Sequence, residues 1–381
     1  MSILTVYFCG TGATAADVSN PDYWNGELIS TLAFNDQSRE FAAKIVIDGP
    51  GSGNLQDDML FVDDNDHGAA MGSLLGNGWE ENVAHAMQVI KGKSLWRRGT
   101  RTQAEYQRLK DLGVPLAAPG VTGNWFRDRY DYGESVTTPQ ALQEQIIQQF
   151  RKPLLPTQVN LVGWSRGGIS CHMLANAMAI DPELMHIPVN ILAIDPVPGI
   201  LNLQDARVRL AANVREYIGF YARDERSKGF ACVIPEVASS TRISVFPISG
   251  RHATLVGNAS LTGVGPGAEL KSPGLLVRHL AELCLGRWGV QLGNCLGLSR
   301  EQIEDCCMEI GADDGRYAAM RTRSYISASF VHLKEGDEGD RFVHHGSRSS
   351  SFSKVFGAQF DPQDGLSMTS LHAAVFDAIA G

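Results

Sequence analysis

The chain of 381 residues, 44% of them hydrophobic, is long enough to bury a large core. Its formal net charge of -9 at pH 7 is spread along its length, which excludes a phosphate-tracking basic face, so nucleic acid is not an expected partner. No apolar run reaches the ~18 residues of a membrane span. Seven cysteines, with Cys306 and Cys307 adjacent, argue for a reducing compartment over a disulfide framework.

The opening MSILTVYFCGTG is strand-like, with no charged leader and no cleavage site, so the expectation is a cytoplasmic location in the producing cell without Sec-type export. ILTVYF (3–8) and AKIVID (43–48) are β-branched and aromatic runs that predict strands. The first leads into Cys9-Gly10-Thr11-Gly12, the second into a Gly-rich turn at 48–53. FVDDNDHG (61–68) gathers oxygen-bearing side chains but lacks the bidentate glutamate of a calcium loop. It reads as a solvated loop, with a calcium site as the lesser alternative, and no metal or cofactor is expected. Helical spacing covers 77–96 and returns over 139–150. Between them, residues 97–138, including NWFRDRYDYG (124–133), read as a cap insertion or a surface excursion.

Further strands are predicted at VNLVGW (159–164), VNILAID (189–195), VREYIGFYA (214–222) and ISVFPI (243–248), with a helix after Ser165. This alternation predicts an α/β fold: a mostly parallel central sheet, helices on both faces, and cap or insertion segments. Ligands on such sheets bind outside the carboxyl ends of the strands. Ser165, Asp195, Asp224 and His252 all fall at or just after predicted strand ends.

Gly163-Trp164-Ser165-Arg166-Gly167 sits where a strand turns sharply into a helix, a turn that needs glycine two residues either side of the serine. The serine hydroxyl then stands above the sheet, and the Arg166 amide, at the helix start, points toward a developing oxyanion. A hydroxyl is a weak nucleophile near neutral pH and needs an imidazole base, which needs an acid to fix its tautomer. His252 is the favoured base and Asp195 the favoured acid. His372, in SLHAAVFDAIAG, is the alternative base and reads better as part of an amphipathic final helix; Asp224 is the alternative acid, among charged neighbours that suggest an ion-pair network. His344 and His345 read as solvated. Residues 273–288 have helical spacing, and HHGSRSSSFSK (344–354) reads as a flexible Ser-rich loop. The expected organisation is a core over 1–260 and a C-terminal part of the same domain, or a lid, over 261–381.

These blocks, in this order, resemble an α/β-hydrolase domain family that includes phospholipase effectors of bacterial type VI secretion. The resemblance rests on VYFCGTG, DGPGSG, LLGNGWEENVAHAM, GWSRGG, IDPV, RDERSKGF and FPISGRH, and covers roughly residues 1–260. It implies Ser165 as nucleophile, Asp195 as acid, His252 as base, and amides around Gly10, Thr11 and Gly12 as the second half of an oxyanion hole. Two positions depart from the family: Cys9 stands where it usually has aspartate, and Ala253-Thr254-Leu255 replaces its acidic, glycine-rich run. The implied activity is cleavage of lipid carboxylic esters, as a lipase or phospholipase. It brings with it transient contact with a membrane surface and, for an effector delivered without a signal peptide, an immunity protein and a secretion spike as partners. An intracellular esterase or thioesterase, and a non-catalytic α/β binding protein, are the alternatives.

Overall fold

The apolar runs lie side by side in one sheet because the middle ones are buried on both faces and each must pair its backbone with a neighbour. The computed structural model describes residues 2–40, 42–50, 79–92, 103–113, 118–124, 127–131, 155–199, 202–227, 229–322 and 340–352. The chain divides into two compact units, residues 1–91 with 155–381, and residues 92–154.

In chain order come β1 (Ile3–Phe8), α1 (Leu28–Asn35), β2 (Lys44–Ile47) and α2 (Trp79–Lys91). The smaller unit contributes α3 (Gln103–Asp111), β3 (Gly120–Asn124) and β4 (Arg127–Asp131), the two strands forming an antiparallel pair. The larger unit resumes with β5 (Gln158–Trp164), α4 (Arg166–Ile180), β6 (Val189–Ile194), α5 (Asp205–Val208), β7 (Val214–Ala222), β8 (Cys232–Ile234) and β9 (Arg242–Ile248). It closes with α6 (Ser272–Arg287), α7 (Arg300–Ala312), α8 (Asp314–Ala319), β10 (Phe342–His345) and β11 (Arg348–Ser351).

The central sheet has six strands in the order β2-β1-β5-β6-β7-β9, and every pairing is parallel. This is the α/β architecture that the alternation of runs predicts. All of β6 is buried, as suits a middle strand, whereas the edge strand β9 is exposed at its first two residues. One face packs Val162, Ile194 and Phe220 against Leu32 of α1, Leu280 of α6 and Ile303 of α7. Across the sheet, Ile169 of α4 clusters with Trp79 of α2 and Val208 of α5, and the His172 ring meets Tyr217 of β7 at 5.5 Å. Each such Leu, Ile or Phe contributes about 1.5–3 kcal/mol by leaving water. The C-terminal helices α6 and α7 thus share the core cluster of the sheet.

Strand order reverses between β1 and β5, since β2 lies outside β1 on one side and β6, β7 and β9 extend on the other. In parallel sheets such a reversal is where ligands bind, outside the carboxyl ends of the two strands, here β1 and β5. The Gly10–Gly12 segment follows β1 and Ser165 follows β5 at that reversal.

Two sequence expectations meet a different structure. The tract expected to be a flexible loop at 344–354 is, as far as residue 352, a hairpin: β10 pairs antiparallel with β11 and parallel with β8. Its reason is a small core of Val343 and Phe352 against Tyr221, Cys232 and Ile234, which anchors an otherwise serine-rich ribbon. His344 belongs to that hairpin and is half-buried, which pushes its pKa down; His345 is exposed. The expected helix over 139–150, the loop at 61–68 and His372 lie outside the described residues.

Candidate active site

Parallel pairing brings the ends of four strands into line: Trp164 pairs with Ile194, Ile194 with Phe220, and Phe220 with Phe246. The residue after each strand still bonds to its neighbour, Ser165 N to Ile194 O at 3.0 Å and Asp195 N to Phe220 O at 2.7 Å. Ser165 and Asp195 therefore stand on adjacent positions of one rim. His252 opens a 3-10 turn, His252–Val256, that follows β9.

Ser165 has φ 58 and ψ -125, a conformation that costs a non-glycine residue about 1–3 kcal/mol. It occupies the cap position of α4, yet its side chain makes no cap hydrogen bond, although capping is what serine there ordinarily does. The bend forces a close approach of backbone. A Cβ on Gly163 would run into the backbone of Gly167 and Gly168, and one on Gly167 into the carbonyls of Phe8 and Cys9. Both positions are therefore restricted to glycine by contact, and the same packing holds the β1 loop against the start of α4.

Asp195 also has positive φ, 41, and is completely buried. Its Oδ2 accepts from His252 Nδ1 at 2.6 Å, and its Oδ1 from the Ala222 amide at 3.0 Å. Burial alone would raise its pKa, but the charge of Arg341 and the bonds from His252 and Arg341 outweigh it and hold the carboxyl down at about 2. Asp224 goes elsewhere. It accepts from Arg321 Nε at 2.8 Å, Arg223 Nε at 3.3 Å and the Gly250 amide at 2.8 Å. Glu225 accepts from the His252 amide at 3.3 Å and from Arg251 Nε at 3.4 Å, which ties the histidine turn to the segment after β7.

The imidazole lies between two aromatic rings. Trp164, the residue before the serine, faces it at 5.0 Å and 32°, and Phe230 meets it edge-on at 5.1 Å. Tyr23 packs edge-on against the same Trp164 at 6.3 Å. The ring of His252 is thus placed beside the elbow with its Nδ1 on Asp195.

Of the three amides expected opposite the serine, one is already committed: Gly12 N donates to Pro50 O at 3.0 Å. Among the described residues the amides of Gly10 and Thr11 donate no hydrogen bond. Gly10 lies against the Trp164 ring, and Arg166 Nη1 donates to Thr11 Oγ1 at 2.8 Å, bridging the start of α4 to this loop. Burial pushes the Arg166 guanidinium down to about 10.

Sequence reasoning missed Arg341. It reaches the site from the residue before β10, donating from Nη1 to Asp195 Oδ1 at 2.7 Å and from Nη2 to Oδ2 at 2.9 Å. No local pattern signals it, because a single arginine ahead of a short strand is ordinary edge chemistry. Among the described residues no group of three or more His, Cys, Asp or Glu is placed to hold a metal ion.

No family model matches the chain, and no curated protein matches it. Among solved structures, an uncharacterized protein from Pseudomonas aeruginosa is similar at 12% identity and a TM-score of 0.47, covering 84% of this chain and 52% of that one. The Tle1 effector bound to the VgrG spike from the type 6 secretion system is similar at 13% identity and a TM-score of 0.35, covering 67% and 50%. The chain spans about half the length of these two solved chains.

Proposed function

We propose that the chain is a serine hydrolase that cleaves carboxylic esters of lipids, of the lipase or phospholipase type. One observation carries the reading: a strained, uncapped Ser165 on a strand-to-helix elbow, with His252 bonded to Asp195 beside it. In this reading Ser165 Oγ attacks the acyl carbonyl carbon while His252 Nε2 accepts its proton, Nδ1 being held by Asp195. The oxyanion meets the amides of Arg166 at the helix start and of Gly10 and Thr11 in the loop after β1. His252 returns the proton to the departing alcohol, then activates a water that releases the acid. The lipid substrate, the membrane contact and the role of a type VI effector, with its spike and immunity partners, rest on the order of blocks in the sequence.

A fluorophosphonate probe tests the chemistry directly. The folded chain is expected to label, and Ser165→Ala to lose the label. An unlabelled wild type, or equal labelling of the variant, removes the enzyme and leaves the non-catalytic binding protein. A panel of esters differing in chain length and headgroup then separates a phospholipase, which prefers long-chain glycerophospholipids, from an esterase or thioesterase of small acyl substrates.

A further inference from the structure

Asp195 has more partners than an acid needs to hold a histidine. The Arg341 guanidinium grips both of its oxygens, and the same fork donates to the carbonyls of Ala222 at 2.5 Å and Phe230 at 2.8 Å. Phe230 in turn presents its ring to His252. One side chain thus fixes the carboxylate that the imidazole bonds to and the loop that walls the imidazole in. The ion pair spans 146 positions of sequence and is buried at both ends. A buried ion pair is weak evidence for stability, since apolar residues of similar volume often do as well. Orientation of the acid is the better account of it.

We propose that Arg341 is a positioning residue of the site, holding Asp195 in the ionised, oriented state that fixes His252, so that the C-terminal hairpin is part of the catalytic apparatus. The inference rests on the hydrolase reading of Ser165, Asp195 and His252. The bidentate geometry requires arginine: a lysine supplies the charge without the fork. Phe352 N bonds to Arg341 O at 2.9 Å and β10 pairs with β8, so the hairpin delivers the guanidinium from a fixed backbone.

The charge of Arg341 opposes proton uptake by the Asp195–His252 pair, so removing it moves the acid limb of the rate profile to higher pH. The other titratable and charged groups around the pair, among the described residues, are Tyr217 and Tyr221 of β7, Glu225 and Arg226 after it, Cys232 of β8 and Asp340 beside the arginine. All stay in place in the variants below.

The test is the rate of fluorophosphonate labelling of the full chain across its acid limb, for wild type, Arg341→Met, Arg341→Lys, Asp195→Asn and the Asp195→Asn/Arg341→Met double variant, with folding followed by circular dichroism. Arg341→Met is expected to label on the order of a hundredfold more slowly, the cost of an ångström-scale misplacement, with its acid limb about one pH unit higher. Arg341→Lys is expected to label slowly with the limb where the wild type has it. In the Asp195→Asn background the loss of Arg341 is expected to change the rate by no more than about twofold, because a residue acting through Asp195 has nothing left to act through. Wild-type rate and limb in Arg341→Met, or equal losses in both backgrounds, overturn the proposal. If Arg341→Met does not fold, the lysine variant and the double variant decide: a lysine variant at wild-type rate, or a double variant slower than Asp195→Asn, overturns it. A wild type that does not label removes the hydrolase reading itself, whereas a labelled wild type with an uncoupled Arg341 removes this proposal alone.

Discussion

Ser165 and Asp195 hold positive φ at the ends of neighbouring strands, and each is fixed by bonds it cannot easily lose. For Asp195 those bonds are mostly charged, so its contribution depends on pH. Its folded pKa of about 2 lies below the ~3.9 of an unfolded aspartate, so the unfolded chain takes up the proton first as pH falls. The stabilisation is therefore complete above roughly pH 4 and is lost as pH falls through about 2. Asp195→Asn leaves Arg341 buried without its counter-charge and is expected to lower the unfolding free energy by about 3–5 kcal/mol near neutral pH. Urea unfolding measures it, and the gap between variant and wild type should narrow across that acid window. A variant as stable as the wild type at neutral pH would contradict the ion-pair account.

At the scale of elements, the sheet was legible because its strands are β-branched and aromatic runs, the middle ones buried on both faces; VREYIGFYA matches β7 residue for residue. The positions of Ser165 and His252 could be read by counting from strand ends. Sequence favoured Asp195 over Asp224 because charged neighbours suggest an ion-pair network for Asp224, but its partners Arg321 and Gly250 could not be read from it. Strand β8 is three residues long, and the β10–β11 hairpin buries only Val343 of its strand residues, so neither has the periodicity that identifies a strand. What holds the hairpin is Val343 and Phe352, both buried against Tyr221 and Cys232. Phe352→Ala should then cost about 3–5 kcal/mol in chemical denaturation. Because the hairpin carries Arg341, the same variant should also slow fluorophosphonate labelling under conditions where it remains folded. Loss of stability with labelling unchanged would show that the ribbon is anchored independently of the site.

Over the whole molecule, burial sorts the seven cysteines more sharply than sequence does. Cys9, Cys171, Cys232, Cys284, Cys306 and Cys307 are buried and free, while Cys295 is exposed. Burial pushes the thiols of Cys9, Cys171, Cys232 and Cys284 up, which suppresses the thiolate that reacts as well as access to it. For Cys295 partial burial and the nearby Glu282 also raise the pKa, so its reaction is governed by exposure and quickens with pH. A small disulfide reagent should therefore modify one thiol per folded chain, and all seven in denaturant, with the fast phase absent from Cys295→Ser. The count also reports on the core, because buried Cys9 follows β1 and Cys232 lies in β8 beside Arg341. If Asp195→Asn or Phe352→Ala opens that part of the fold, Cys232 should become reactive before the α6 thiol of Cys284, which is buried in the main core. Simultaneous exposure of both would mean that the hairpin and the sheet unfold as one cooperative unit.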